Sequence, residues 1–232
     1  MWTLHATRMP ELRDAILAGQ FQRLACPECG RAVVAEPTLL YTDFDRHQWY
    51  GTFPTNAVKN WGAIAQKVRD GFQHNMMEAC PPLVREWAPH FQVRAVFGLA
   101  ALREKLLLHE AGIDDRWIEL VKLRMLRDTA APWLNVRTRV WLDQLDDEGL
   151  DFTVVGPNAA DGTEVVHRIR VVRGALDEIV QSADRLANTW PELFEGVAVD
   201  WRILFASNSP LPEHPKDDEQ LLLDHLYNMA PR

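Results

Sequence analysis

Phe21-Gln22-Arg23-Leu24-Ala25-Cys26-Pro27-Glu28-Cys29-Gly30-Arg31-Ala32-Val33-Val34-Ala35 holds two short apolar runs around a tight polar unit. The runs Phe21–Ala25 and Arg31–Ala35 predict the two arms of a β-hairpin. Between them, Pro27 fixes one backbone dihedral and Gly30 can take a positive φ, so that backbone N–H groups turn toward the sulfurs. Two thiolates separated by two residues can then grip one metal ion. Three readings stay open for Cys26 and Cys29: half of a zinc knuckle, a redox dithiol, or two inert thiols. A redox pair normally opens a helix, whose N-terminus lowers the thiol pKa. Here Gly30–Val34 continues as strand, which favours the knuckle.

A structural zinc site needs four ligands, and the pair supplies two. Cys80 is followed by Pro81-Pro82, does not resemble a second knuckle, and reads as a buried thiol. His5, His47, His74 and His90 have no second ligand at metal spacing, so they read as surface or capping histidines.

Outward from the hairpin, Met9–Gly19 predicts a short helix, with Pro10 at its start and Gly19 as its left-handed stop. Leu39–Thr42 and Gln48–Phe53 predict a second hairpin, turned by Asp43–His47. Val58, Trp61, Ile64, Val68 and Phe72 recur at helical spacing, which predicts a helix from Asn56 to about Met77. Pro81-Pro82 interrupts, and Gln92–Phe97 reads as a strand. Helices follow over Leu99–Ala111, with Leu102 and Leu106 inward, and over Asp115–Arg127, with Trp117, Leu120 and Val121 inward. Gly112 separates them and Asp114 is a natural N-cap.

Asp128–Pro132 reads as a boundary. Residues 1–127 carry 16 Lys/Arg against 14 Asp/Glu, and residues 128–232 carry 9 against 19. Past it, Val136–Leu145, Phe152–Val155 and Val165–Val172 predict three strands, with Val165, His167, Ile169 and Val171 on one face of the last. Leu176 to Leu186 marks a helix. Asp200–Phe205 is ambiguous, Ser207–Lys216 reads as a loop and Asp217–Tyr227 as a final amphipathic helix. The expected fold class is α+β. A zinc-ribbon-like hairpin region with packed helices forms residues 1–127, and a small antiparallel sheet with helices forms an acidic region over 128–232.

The 232 residues are 47% hydrophobic and 25% charged. That excludes a disordered tail, a collagen-like repeat and a disulfide-dense mini-protein. The net charge of −8 and the acidic second half argue against nucleic acid as a partner, because phosphate binding rests on clustered Lys and Arg. No run of 18 apolar residues and no signal peptide is seen, so no membrane association is expected. Three cysteines do not describe a secreted disulfide framework, so the expected location is cytoplasmic.

Pro10-Glu11-Leu12-Arg13, Ile16-Leu17-Ala18-Gly19, Cys26-Pro27-Glu28-Cys29-Gly30 and Leu39-Leu40-Tyr41-Thr42-Asp43, in that order, resemble the CpXC domain family over roughly residues 2–127. The resemblance implies a bacterial or archaeal protein with a zinc-ribbon-like fold and a metal site, and no known activity. It also implies two CPxC knuckles. The second matches Cys26–Gly30; the first belongs just before the segment matching Trp2–Arg13. Either upstream codons encode it or the lineage has lost it, and zinc is expected as a structural ion with two of its four ligands here.

Other features have plainer readings. The nine tryptophans (2, 49, 61, 87, 117, 133, 141, 190, 201) suit core packing better than a stacking platform. Asp143, Asp146, Asp147, Glu148 and Asp151 crowd one turn without the spacing of a calcium loop. Arg168, Arg170 and Arg173 fit pairing with nearby carboxylates better than anion capture. The leading expectation is a non-catalytic module with a protein partner, a homo-oligomer being left open. The alternative is an enzyme of unknown reaction, sited between the two halves and drawing on Asp43, His47 or Arg168.

Overall fold

A computed structural model describes residues 2–128, 138–157 and 163–206. Its strands and helices give an α+β fold, and the described residues gather into two compact units: residues 2–111 with 195–199, and those described between 112 and 194 with 200–206. Division by contact places helix Asp115–Asp128 in the second unit, whereas division of the sequence by charge places it in the first.

The first unit is built on a mixed four-stranded sheet. It uses β1 (Trp2–His5), then β4 (Leu39–Asp43) and β5 (Gln48–Phe53), then β6 (Gln92–Phe97). β1 runs parallel to β4, β4 antiparallel to β5, and β5 parallel to β6. Between β1 and β4 lie α1 (Pro10–Leu17) and a separate antiparallel hairpin of β2 (Arg23–Ala25) and β3 (Ala32–Val34).

Alternation along the strands sends Leu4, Leu39, Tyr41, Tyr50 and Val96 to one sheet face. There they pack with Ile16 of α1 and with Leu99, Leu102 and Leu106 of α4 (Leu99–Glu110). The opposite face carries Gly51, over which Val68 of α2 (Trp61–Gln73) sits, and Trp49, edge-on to Phe72 at 5.6 Å.

The separate β2–β3 hairpin, the β4–β5 hairpin of the sheet, α1, α4 and β6 follow their sequence patterns. The stretch expected as one helix from Asn56 to Met77 resolves into a 3-10 segment over Thr55–Asn60, α2, and a π turn over His74–Glu78. Pro81-Pro82 interrupts as expected, but Pro82 also starts a helix, α3 (Pro82–Trp87), because a proline at the first helical position forfeits no hydrogen bond. Residues 195–199 close the unit, with Ala95 N–H donating to Val197 O at 2.8 Å.

The second unit opens with α5 (Asp115–Asp128), whose Arg116 N–H is capped by Asp114 Oδ1 at 3.0 Å. Its antiparallel sheet runs β7 (Arg139–Leu145), β8 (Gly149–Pro157) and β9 (Glu164–Val172). Leu142, Leu150, Phe152 and Val154 are buried. On β9, Val165, His167, Ile169 and Val171 are half-buried, and Val166, Arg168, Arg170 and Val172 are exposed, as the alternation predicts. Helices α6 (Arg173–Gln181), α7 (Ala183–Thr189), α8 (Pro191–Glu195) and α9 (Ile203–Ala206) follow, and α6 faces α5 with Arg124 and Glu178 2.5 Å apart. Trp133, Val136, the loop over Ser207–Lys216 and the helix over Asp217–Tyr227 lie outside the described residues.

Candidate functional site

The Cys26–Gly30 turn sits at the end of the β2–β3 hairpin. Leu24 pairs with Val33 and Ala25 with Ala32. The ladder then closes through Cys26 N–H to Arg31 O and Gly30 N–H to Cys26 O, each at 2.8 Å. Gly30 has φ +68°, where an L side chain is strained. The backbone amides of Cys29 and Glu28, and then the Cys29 thiol, hydrogen-bond to the Cys26 sulfur and hold its pKa below the usual thiol range. Amides aimed at sulfur offset thiolate charge, which a thiolate metal ligand needs.

Both thiols are free, with Cys29 exposed and Cys26 half-buried. All of β2 and β3 is exposed, Leu24 to 58%, Val33 to 53% and Val34 to 51%. The donor set fits a borderline-soft divalent ion such as zinc and fills half of a tetrahedron. Among the described residues no group of three His, Cys, Asp or Glu converges.

The other candidate ligands are engaged elsewhere. Cys80 is half-buried and donates its thiol to Met76 O at 2.9 Å. His5 Nδ1 lies 2.8 Å from Thr42 Oγ1. His74 meets Glu78 at 3.3 Å on an exposed helical turn. His47 and His90 lie with ring centroids 5.8 Å apart and planes tilted by 57°, and His47 meets Phe91 edge-on.

Asp43 is fully buried, with Oδ1 accepting from Thr7 Oγ1 at 3.4 Å and from Arg46 N–H at 3.1 Å, and Oδ2 from Arg46 Nη1 at 3.1 Å. His47 packs on His90 and Phe91 instead, so the two residues share no partner. Arg168 lies on β9, in the second unit. The acidic turn is also tied up. Asp146 Oδ1 takes the Glu148 and Gly149 amides at 2.9 and 2.8 Å, and Arg170 bridges Asp146 and Asp151 at 2.7 Å each.

Sequence patterns did not expose a polar cluster around Asp43. Tyr41 and Asp43 share a strand face with Tyr50 and Gln48, their partners across β4–β5. Arg13 reaches the same end from α1 and pairs with Glu110. Burial, and next the charge of Asp43, push the Tyr41 hydroxyl far above its ordinary pKa, against the lesser pull of Arg13 and Arg46. Burial pushes the half-buried His109 imidazole down. Tyr41 Oη, Arg13 Nε and both amide atoms of Gln48 are buried without a protein partner. The signal was present: polar residues alternate onto the same face as Leu39, and Arg13 lies one helical turn before Ile16.

A second buried polar group, in the second unit, is fully paired. Lys122 Nζ meets Glu119 Oε1 at 3.0 Å, Glu119 Oε2 accepts from Trp201 N–H at 3.0 Å, and Arg202 grips Asp200 at 2.6 Å. Burial pushes the Asp200 carboxyl up, but the charge and hydrogen bonds of Arg202, with the charge of Lys122, outweigh it and bring the pKa to about 2.

The family model described as CpXC protein matches residues 1–122. No curated protein and no solved structure matches the chain. Among the described residues no helix is long and apolar enough to cross a membrane.

Proposed function

From the premise that this chain belongs to the CpXC family, we propose that it is a non-catalytic interaction module whose Cys26–Cys29 turn binds zinc as a structural ion. One observation carries the reading. The turn presents two free thiols, Cys29 exposed and Cys26 half-buried, at the tip of a hairpin exposed to solvent. Metal there stiffens the hairpin and fixes the display of Leu24, Val33 and Val34 to a protein partner. Where two further sulfurs complete the shell, no position is left for a reacting water and the ion's role is architectural. A reducing compartment such as the cytoplasm keeps both thiols available. Cobalt(II) titration of the reduced chain tests this. Sulfur-to-cobalt charge-transfer bands are expected in the chain and absent from Cys26→Ser. Equal spectra from the two would remove the reading.

A second reading, an enzyme, is favoured by the cluster at Asp43. Catalytic sites are where buried, perturbed and partnerless polar groups collect, and Tyr41, Arg13 and Gln48 supply all three traits. Its test is Tyr41→Phe. A bound polar molecule makes loss of the hydroxyl costly, and an idle hydroxyl does not.

A further inference from the structure

The β4–β5 turn and the segment entering β6 bring two imidazoles together, His47 and His90, with ring centroids 5.8 Å apart. We propose that this pair chelates a divalent transition-metal ion of the kind imidazole favours, nickel, copper or zinc, with water in its remaining positions. The site is separate from the sulfur hairpin and does not depend on it.

Spacing is the first ground. Two imidazoles on adjacent positions of one ion, at bonds of about 2.0 Å, hold their ring centres about 5 Å apart. The pair stands slightly wider than that, a gap that small side-chain rotations close.

Uncommitted nitrogen is the second. Among the described residues neither ring makes a hydrogen bond or an ion pair, whereas His5 meets Thr42 and His74 meets Glu78. A neutral imidazole keeps one nitrogen lone pair for a metal. His90 is exposed and His47 half-buried, so an ion reaches the pair from solvent.

Support from the fold is the third. His47 O accepts from Gln92 N–H at 2.8 Å, which ties the turn to the start of β6. His90 ends the 3-10 segment Ala88–His90 just before that strand. The His47 ring stands edge-on to Phe91, and Phe91 is wedged against Phe44 at 5.4 Å and Phe72 at 5.9 Å. A ligand held by packing loses little freedom when the ion arrives. His47 also takes φ +52°, a left-handed conformation that Asn or Gly meets as well, so turn geometry alone does not call for an imidazole.

Among the described residues no third His, Cys, Asp or Glu joins the pair. The ion therefore keeps open positions, for water or for an oxygen or nitrogen donor from another molecule.

Calorimetry with nickel(II) tests this on the full chain carrying Cys26→Ser and Cys29→Ser, which removes the hairpin sulfurs and so separates this site from the zinc reading above. The expected result is a site that saturates at one nickel per chain. Adding His47→Asn or His90→Gln should weaken it by about tenfold or more, since even changes outside the first ligand shell cost that much. Asn suits the left-handed φ at position 47, so the thermal melt in chelator should stay unchanged. His74→Gln, on its exposed turn, should leave nickel affinity as it was. Absence of a one-per-chain site, unchanged affinity in either His47→Asn or His90→Gln, or an equal loss in His74→Gln would overturn the proposal.

Discussion

The Gly30 amide donates to the Cys26 carbonyl oxygen at 2.8 Å, closing a turn that Gly30 enters at φ +68°. A Cβ on Gly30 would meet no atom within 4 Å, so Gly30→Ala strains backbone alone. That strain is about 1–2 kcal/mol. Because the hairpin is exposed, global melting should barely move. Zinc affinity should fall about tenfold, the equivalent of about 1.4 kcal/mol. Competition with a metal-sensitive dye measures it, and unchanged affinity would show that the turn does not shape the site.

Gly51 is constrained from outside instead. A Cβ there would lie 2.6 Å from Val68 Cγ2, so sheet and α2 must part. Gly51→Ala should cost about 1–3 kcal/mol in a denaturant melt, the range for overpacking. Adding Val68→Ala should return part of that loss, a coupling that a double-mutant cycle reads directly.

Much of this was legible in the sequence. Leu102 and Leu106 and the alternation of β9 follow from periodicity, because burial on one face imprints a repeat, whereas the hairpin arms follow from short apolar runs on either side of a polar turn. The pairing of Arg170 with the acidic turn followed from simple proximity of opposite charges. β1 did not announce itself, since Trp2–His5 is too short to show a period and pairs with β4 only through the fold. The cluster at Asp43 was hidden for the same reason, as Arg13 and Tyr41 lie far apart in the chain. Lys122 and Asp200 meet at still longer range.

Tyr41→Phe deletes a buried hydroxyl that has no protein partner. Removing such a group is nearly neutral or stabilising. The expected change in unfolding free energy is therefore within about 0.5 kcal/mol, or a gain. A loss above about 1.5 kcal/mol would point to a bound partner on the hydroxyl and favour the enzyme reading.

Asp200 gives a signed pH dependence. Its folded pKa of about 2 lies below the ordinary carboxylate value of 3.8. The stability it contributes is complete above the unfolded value and is lost as pH falls from about 4 through about 2, amounting to about 2 kcal/mol. Asp200→Asn should be less stable at neutral pH, because it removes the buried carboxylate that Arg202 grips and that the charge of Lys122 favours. It should also lose part of the acid dependence between pH 4 and 2, which melts across that range resolve.

Thiol protection tests the metal reading most directly. The reduced chain has three free cysteines, and zinc on Cys26 and Cys29 should block two of them from a thiol reagent while leaving Cys80 as reactive as before. Chelator should restore all three. Identical labelling with and without zinc would contradict the claim that this turn is a metal site.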